Sequence, residues 1–184
     1  MATWNIASPI DDKFRQKLRA GDSIALSGVI YTARDSAHKR LAEALKSGSP
    51  LPFDLKGQTL YYMGPTPTPP GQVIGSCGPT TSARMDTFTP ALLSAGLGAM
   101  IGKGERSAEV KEAIKKQRAV YFVTYGGAGA LLAKTVRKAE VVAYAELGAE
   151  AIMRLEVENF PVIVANDIYG GDLFVQQIAK YRRK

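Results

Sequence analysis

The longest apolar runs of this chain, such as AVYFV (Ala119 to Val123), have the length of a core strand and no more. A bilayer-crossing helix needs about 20 consecutive apolar residues, so the chain must build its interior from short pieces. Those pieces are separated by 18 glycines and 10 prolines, which break helices and end ladders. The fold is therefore decided by how short strands and helices alternate.

SIALSGVIYT (Ser23 to Thr32) clusters β-branched and apolar residues and predicts a strand. DSAHKRLAEALKSG (Asp35 to Gly48) predicts a helix, with apolar Ala37, Leu41 and Leu45 on one face and a glycine stop. Pro50 and Pro52 enforce an extended connection to a strand in TLYYMG (Thr59 to Gly64), and GPTPTPPG (Gly64 to Gly71) is a stiff loop. QVIGS reads as a short strand leading into GSCGPTTSARMD (Gly75 to Asp86). TPALLSAG then reads as a helix with Thr89 as N-cap and Pro90 at the first helical position. AMIGKG is a strand ending at a glycine-flanked lysine, and SAEVKEAIKKQ is a helix with acids early and lysines late. AVYFVTYGGAGALL gives a buried strand, a glycine turn and a short helix, and EVVAYAELG, MRLEVENF and PVIVANDIY supply further strands. Loose alternation with several adjacent strands predicts a mixed α/β domain rather than a regular doubly wound fold.

At 184 residues, 46% hydrophobic and 22% charged, the chain suits one domain with its own core. The expected organisation is a single domain over 1–184, with a short N-terminal arm (about 1–20) and the basic tail KYRRK (Lys180 to Lys184). The N-terminus lacks a basic segment followed by an apolar stretch, so no signal peptide, no membrane and a cytoplasmic location are expected. A net charge of +7 fits either a solvated basic surface or an anionic partner. The basic residues are dispersed without an aromatic-basic module, which argues against nucleic acid. Cys77 is the only cysteine, so neither an internal disulfide nor a cysteine-built metal cluster can form within this chain alone.

Arg34 stands at a strand-to-helix junction, where amides and a guanidinium can converge on an anion, or where it pairs with Asp35. His38, on the first turn, is read as a hydrogen-bonded structural residue. In GPTTSAR the glycine admits a ligand close to the backbone, Thr80, Thr81 and Ser82 offer hydroxyls and amides, and Arg84 adds a bidentate fork. A capped helix after a turn satisfies the same residues. Lys103 follows a strand and is either a ligand cation or an exposed loop lysine. YGGAG (Tyr125 to Gly129) lacks phosphate-loop spacing and reads as a tight turn packing a helix close to a strand. Cations at strand ends beside a hydroxyl-rich helix start make half of a dicarboxylate site, without an acid–base engine.

TARDSAHKRL, GSCGPTTSARMD, GKG and TYGGAGALLA together resemble the β region of the iron–sulfur hydro-lyases of the fumarate/tartrate type. These are the class I fumarases and the two-subunit L-tartrate dehydratases, and the resemblance extends to PVIVANDIYGGDLF. It implies a swivelling β/β/α domain, a mixed sheet with flanking helices, found as the C-terminal half of one chain or as a separate β subunit. The ends of this chain point to the separate subunit. The resemblance further implies a [4Fe-4S] cluster held by cysteines of a partner α subunit, with an open iron acting on the substrate hydroxyl, so that no metal ligand, Cys77 included, comes from this chain. By position, Arg34, Arg84 and Lys103 would bind substrate carboxylates and Thr80 and Thr81 would face the substrate. Thr80 would also act in proton transfer with an acidic residue of the partner. The expected protein is the β subunit of a two-subunit fumarate hydratase, in an α2β2-like assembly, because Asp86 stands where tartrate dehydratases carry glutamate. An L(+)-tartrate dehydratase β subunit and a free-standing, non-catalytic anion-binding module are the alternatives.

Overall fold

The computed structural model describes residues 2–182, so Arg183 and Lys184 of the basic tail lie outside the described residues. Its seven strands are β1 (Thr3–Ser8), β2 (Ser23–Thr32), β3 (Thr59–Tyr61), β4 (Ala99–Gly102), β5 (Val120–Val123), β6 (Val136–Ala143) and β7 (Ile152–Asn166). The helices are α1 (Asp12–Arg15), α2 (Asp35–Ser47), α3 (Thr89–Ser94), α4 (Ala108–Lys116), α5 (Gly129–Ala133) and α6 (Leu173–Tyr181), with 3-10 turns at Ser82–Met85 and Ala145–Glu150. No helix among the described residues is long and apolar enough to cross a membrane.

All seven strands join one mixed sheet in the order β1-β2-β3-β4-β5-β7-β6. From β1 to β5 the neighbours run parallel, whereas β7 is antiparallel to β2, β5 and β6. The extra β2–β7 pairing closes β2, β3, β4, β5 and β7 into a ring. Strand alternation then separates two cores. Tyr61, Met63, Ala99, Ile101, Val120 and Phe122 point into the ring with Ile24, Leu26 and Ile30. Leu60, Tyr62, Met100 and Tyr121 point outward, beneath the apolar faces of α2, α3 and α4. Both faces of β3, β4 and β5 are therefore buried, as continuous apolar runs in a parallel sheet require.

The helix ends follow their sequence signals. Gly48 closes α2 in the left-handed conformation at φ 69°. Ser107 caps α4 by accepting the Val110 N–H, and lysines occupy its last turn.

Four expectations need correction. MRLEVENF and PVIVANDIY are one 15-residue strand, β7. The strand survives Pro161 because its carbonyl accepts the Thr124 hydroxyl at 2.7 Å, on the side where β6 has ended and β5 has not begun. The N–H that proline lacks would point the same way and find no strand partner there. Asn159, at φ 54°, forms a bulge that keeps one face inward, moving it from Leu155 and Val157 to Phe160, Val162 and Val164. QVIGS is not a strand; it is tied to the proline loop by Thr66 N–H to Ser76 carbonyl (3.0 Å) and Ser76 N–H to Thr66 Oγ1 (2.8 Å). EVVAYAELG is strand only to Ala143, after which Tyr144 at φ 57° turns the chain into a 3-10 segment. Thr89 is the first residue of α3 rather than its N-cap, and its hydroxyl donates back to the Met85 carbonyl at 2.9 Å. The N-terminal segment supplies β1, paired in parallel with β2, and α6, capped by Asp172, was not foreseen.

Candidate active site

Four parallel strands, β2 to β5, bring their carboxyl ends to one side of the sheet. Arg34 follows β2, Gly64 follows β3, Lys103 follows β4 and Gly126 follows β5. The segment from Pro79 to Arg84 lies across these ends. Pro79 bridges Met63, Thr81 bridges Lys103, and the Thr80 N–H donates to the Tyr62 carbonyl at 2.7 Å. All five residues expected from the sequence therefore lie at the end of the sheet where open α/β folds bind ligands.

Arg34 and Arg84 meet on one carboxylate. Arg84 Nε donates to Asp35 Oδ1 at 2.8 Å, and Arg34 Nη2 lies 3.5 Å from Asp35 Oδ2. A second carboxylate, Glu150 Oε1, stands 3.5 Å from the same Arg34 nitrogen. Both Arg34 contacts are longer than hydrogen bonds, so its fork is held in place with its donors largely unspent. The side chain of Arg34 is 22% exposed and that of Arg84 53%. The hydrogen bonds of Thr80, Thr81 and Lys103 all use backbone atoms, which leaves two hydroxyls and an ammonium available.

A buried network holds this strip together. Ser82 N–H donates to the Lys103 carbonyl at 2.9 Å, and Ser82 Oγ accepts from Lys103 N–H at 3.1 Å. Tyr121 hydroxyl contacts Ser82 Oγ at 2.8 Å and the Gly104 carbonyl at 2.7 Å. Gly102 must be glycine here, because a Cβ would overlap Ser82 Oγ. Arg106, whose side chain is 0% exposed, donates through Nε to Asp86 Oδ1 at 2.7 Å and through Nη2 to Thr89 Oγ1 at 2.7 Å. Asp86 Oδ2 also accepts the Ser107 N–H at 2.6 Å. Burial works against the charge of Arg106, but Tyr62 and the Asp86 carboxylate outweigh it and raise its pKa. Asp86 thus serves an internal ion pair. Its partner Arg106, in GKGERS, passed unnoticed because only burial distinguishes it from a loop cation.

His38 is fully buried, with Nδ1 2.9 Å from the Arg34 carbonyl and its ring edge-on to Tyr62. A carbonyl can only accept, so Nδ1 carries a proton, and the buried Nε2 has no hydrogen-bond partner among the described residues. Burial pushes its pKa down to about 4, against a smaller opposing pull from the Arg34 carbonyl. Neutral His38 therefore favours the folded state above the ordinary value of 6.5, and that contribution is lost as pH falls towards about 4. Over that window the loss is on the order of 3 kcal/mol, from pKa values of 6.5 and about 4. Urea titrations at pH 7 and pH 4.5 should show this slope, and it should shrink in His38→Gln.

Among the described residues no group of three or more His, Cys, Asp or Glu side chains could hold a metal ion. Cys77 is buried and burial pushes its thiol up to about 11, the reverse of what a thiolate ligand needs. The donors of this chain do not fit an iron–sulfur cluster. The YGGAG turn packs against GSCG: Cys77 N–H donates to the Gly129 carbonyl at 3.1 Å, and a Cβ on Gly129 would meet Gly78 N at 2.7 Å. It packs against that loop, while Leu132 of α5 is buried in the same core as the strand residues.

The chain is 44% identical over 156 residues to "Fumarate hydratase class I, aerobic" of Salmonella typhimurium, covering 83% of this chain and 27% of that protein. It is 39% identical over 175 residues to "Putative L(+)-tartrate dehydratase subunit beta" of Methanocaldococcus jannaschii, covering 92% of this chain and 90% of that one. It is 33% identical to "L(+)-tartrate dehydratase subunit beta" of Escherichia coli, over 93% of this chain and 86% of that subunit. The chain thus spans less than a third of the fumarate hydratases it matches. Residues 4–177 match the family described as "Fumarase C-terminus", and the chain belongs to that family.

Proposed function

We propose that this chain is the carboxylate-binding part of a dicarboxylate hydro-lyase, acting as the β subunit of a two-subunit, [4Fe-4S]-dependent fumarate hydratase. The carrying observation is the meeting of Arg34 and Arg84 on Asp35, beside Thr80, Thr81 and Lys103, at the carboxyl ends of β2 to β5. Two forks and an ammonium can orient a substrate with two carboxylates and neutralise charge developing towards an enolate-like state. Thr80 would face the substrate and take part in proton transfer, and Thr81 would line it. The strip is open, and a cavity of about 610 Å³ lies elsewhere, between the proline loop and α5, lined by residues such as Thr66, Val73 and Lys134. An open strip with cations and no metal donors fits a site completed by an α subunit that carries the cluster, in an α2β2-like complex in the cytoplasm. The family's swivelling β/β/α domain is the matching description of the whole chain.

L(+)-tartrate dehydratase is the second reading, favoured by the relatives of similar length that bear that name. The higher identity to a fumarate hydratase favours the first. Anaerobic purification of the tagged chain from its native host, with fumarate–malate interconversion and tartrate dehydration assayed in the eluate, decides between them. A cysteine-bearing partner, iron and fumarate turnover together are the expected result. Tartrate turnover alone keeps the family and changes the substrate. A chain that emerges alone and inactive, from a host expressing such a partner, overturns the proposal and leaves an anion-binding module.

A further inference from the structure

Glu150 approaches the site from the far end of the chain. It closes the 3-10 turn Ala145–Glu150, which docks on α2 through an Arg40–Glu146 ion pair and through Arg40 stacked over Tyr144 at 4.9 Å. Its carboxylate is divided between two jobs. Oε2 accepts the Ser36 N–H in the first turn of α2 at 2.8 Å, and Oε1 faces Arg34 Nη2 at 3.5 Å. Arg34 is also packed closely against Gly64, where an added Cβ would lie 2.9 Å from Arg34 Cδ and 2.6 Å from the Ala149 carbonyl. The Arg34 side chain is thus bounded by the Gly64 backbone and by Glu150.

We infer that Glu150 is a positioning residue for Arg34 that also lowers the affinity of the site for dianions. The inference rests on the dicarboxylate reading of the site. Arg34 and Arg84 carry two positive charges against the two negative charges of Asp35 and Glu150, so this cluster is neutral before a ligand arrives. A ligand carboxylate on the Arg34 fork would sit about 5–6 Å from Glu150, and repulsion at that range, at an effective dielectric of about 40, is on the order of tenfold in affinity. A weaker grip on substrate and product keeps binding free energy for the transition state.

Gln and Ala at this position should therefore act in opposite directions. Glu150→Gln keeps an oxygen for the Ser36 N–H and the bulk beside Arg34, but removes the charge and turns an NH2 group, which can only donate, towards the guanidinium. Glu150→Ala removes both. Succinate, a saturated dicarboxylate that cannot be hydrated, is titrated into the full chain at low salt and followed by NMR, with acetate as reference. The expected result is a Kd about 3–10-fold lower in Glu150→Gln and at least several-fold higher in Glu150→Ala. Glu158→Gln, which removes the same charge at the distant Arg137 pair, should leave Kd unchanged. If Glu150→Gln binds no tighter than wild type, or if Glu158→Gln tightens binding equally, the inference is wrong and the dicarboxylate reading stands. If neither wild type nor Glu150→Gln binds succinate in preference to acetate, the dicarboxylate reading fails and the inference goes with it.

Discussion

On the proposed function, Arg84→Lys is expected to lower turnover of the chain's complex by about 100-fold while moving the stability of the chain by less than about 1 kcal/mol. The two halves of that expectation have separate grounds. Arg84 is half exposed and makes one ion pair, to Asp35. Exposed pairs of this kind contribute between zero and about 1 kcal/mol, and lysine keeps the charge. What lysine cannot keep is the planar fork. Bound through Nε to Asp35, Arg84 still presents its terminal nitrogens, so a carboxylate could be held by two parallel N–H donors in a fixed orientation. An ammonium gives a point charge without that orientation, and positional slack near 1 Å costs about 100-fold in rate. Steady-state kinetics of the complex and urea denaturation of the chain measure the two halves. Near-wild-type turnover in the iron-loaded complex would remove Arg84 from the site.

How much of this was legible in the residues depends on the range of the interaction. Gly48 as a helix stop and the lysine-rich end of α4 are local signals, and both hold. The buried strands β4 and β5 were equally plain as short apolar runs between breakers. The errors came where a local rule met a longer-range partner. Pro161 reads as a strand end, yet it sits inside β7 because the edge its N–H would have faced is vacant. Val73 and Ile74 read as strand, yet the Thr66 side chain captures their neighbour Ser76 before a ladder can form. Within the site, Arg34 and Arg84 stood in short recognisable motifs, and Asp35 was adjacent. Glu150 could not be found that way: its contact with Ser36 spans 114 positions, and no spacing rule connects an acid in AELGAE to a helix start in ARDSAH.

Arg106→Ala should be the most destabilising single change at the site, costing about 3–5 kcal/mol, because it leaves the partner of a buried ion pair uncompensated. Asp86 would keep only the Ser107 amide, and Thr89 would lose its donor. The cavity would open beneath Tyr62 and Tyr121, whose rings now lie 5.3 Å and 4.9 Å from the guanidinium carbon. A companion variant separates the charge from the packing. Arg106→Met with Asp86→Asn fills the volume and removes both charges, and such replacements are often neutral or better, so most of the loss should be regained in urea titrations. Stability and function should part in that double variant. Asp86 ends the 3-10 turn that carries Arg84, whereas Arg106 and Ser107 end the loop that carries Lys103, so the pair ties one cation-bearing segment to the other. A restored fold with a persistently raised KM would identify the pair as the tie that sets the spacing of the substrate cations. A cost below about 1 kcal/mol for Arg106→Ala would mean instead that the Ser82–Lys103 backbone bridge alone holds the two segments together.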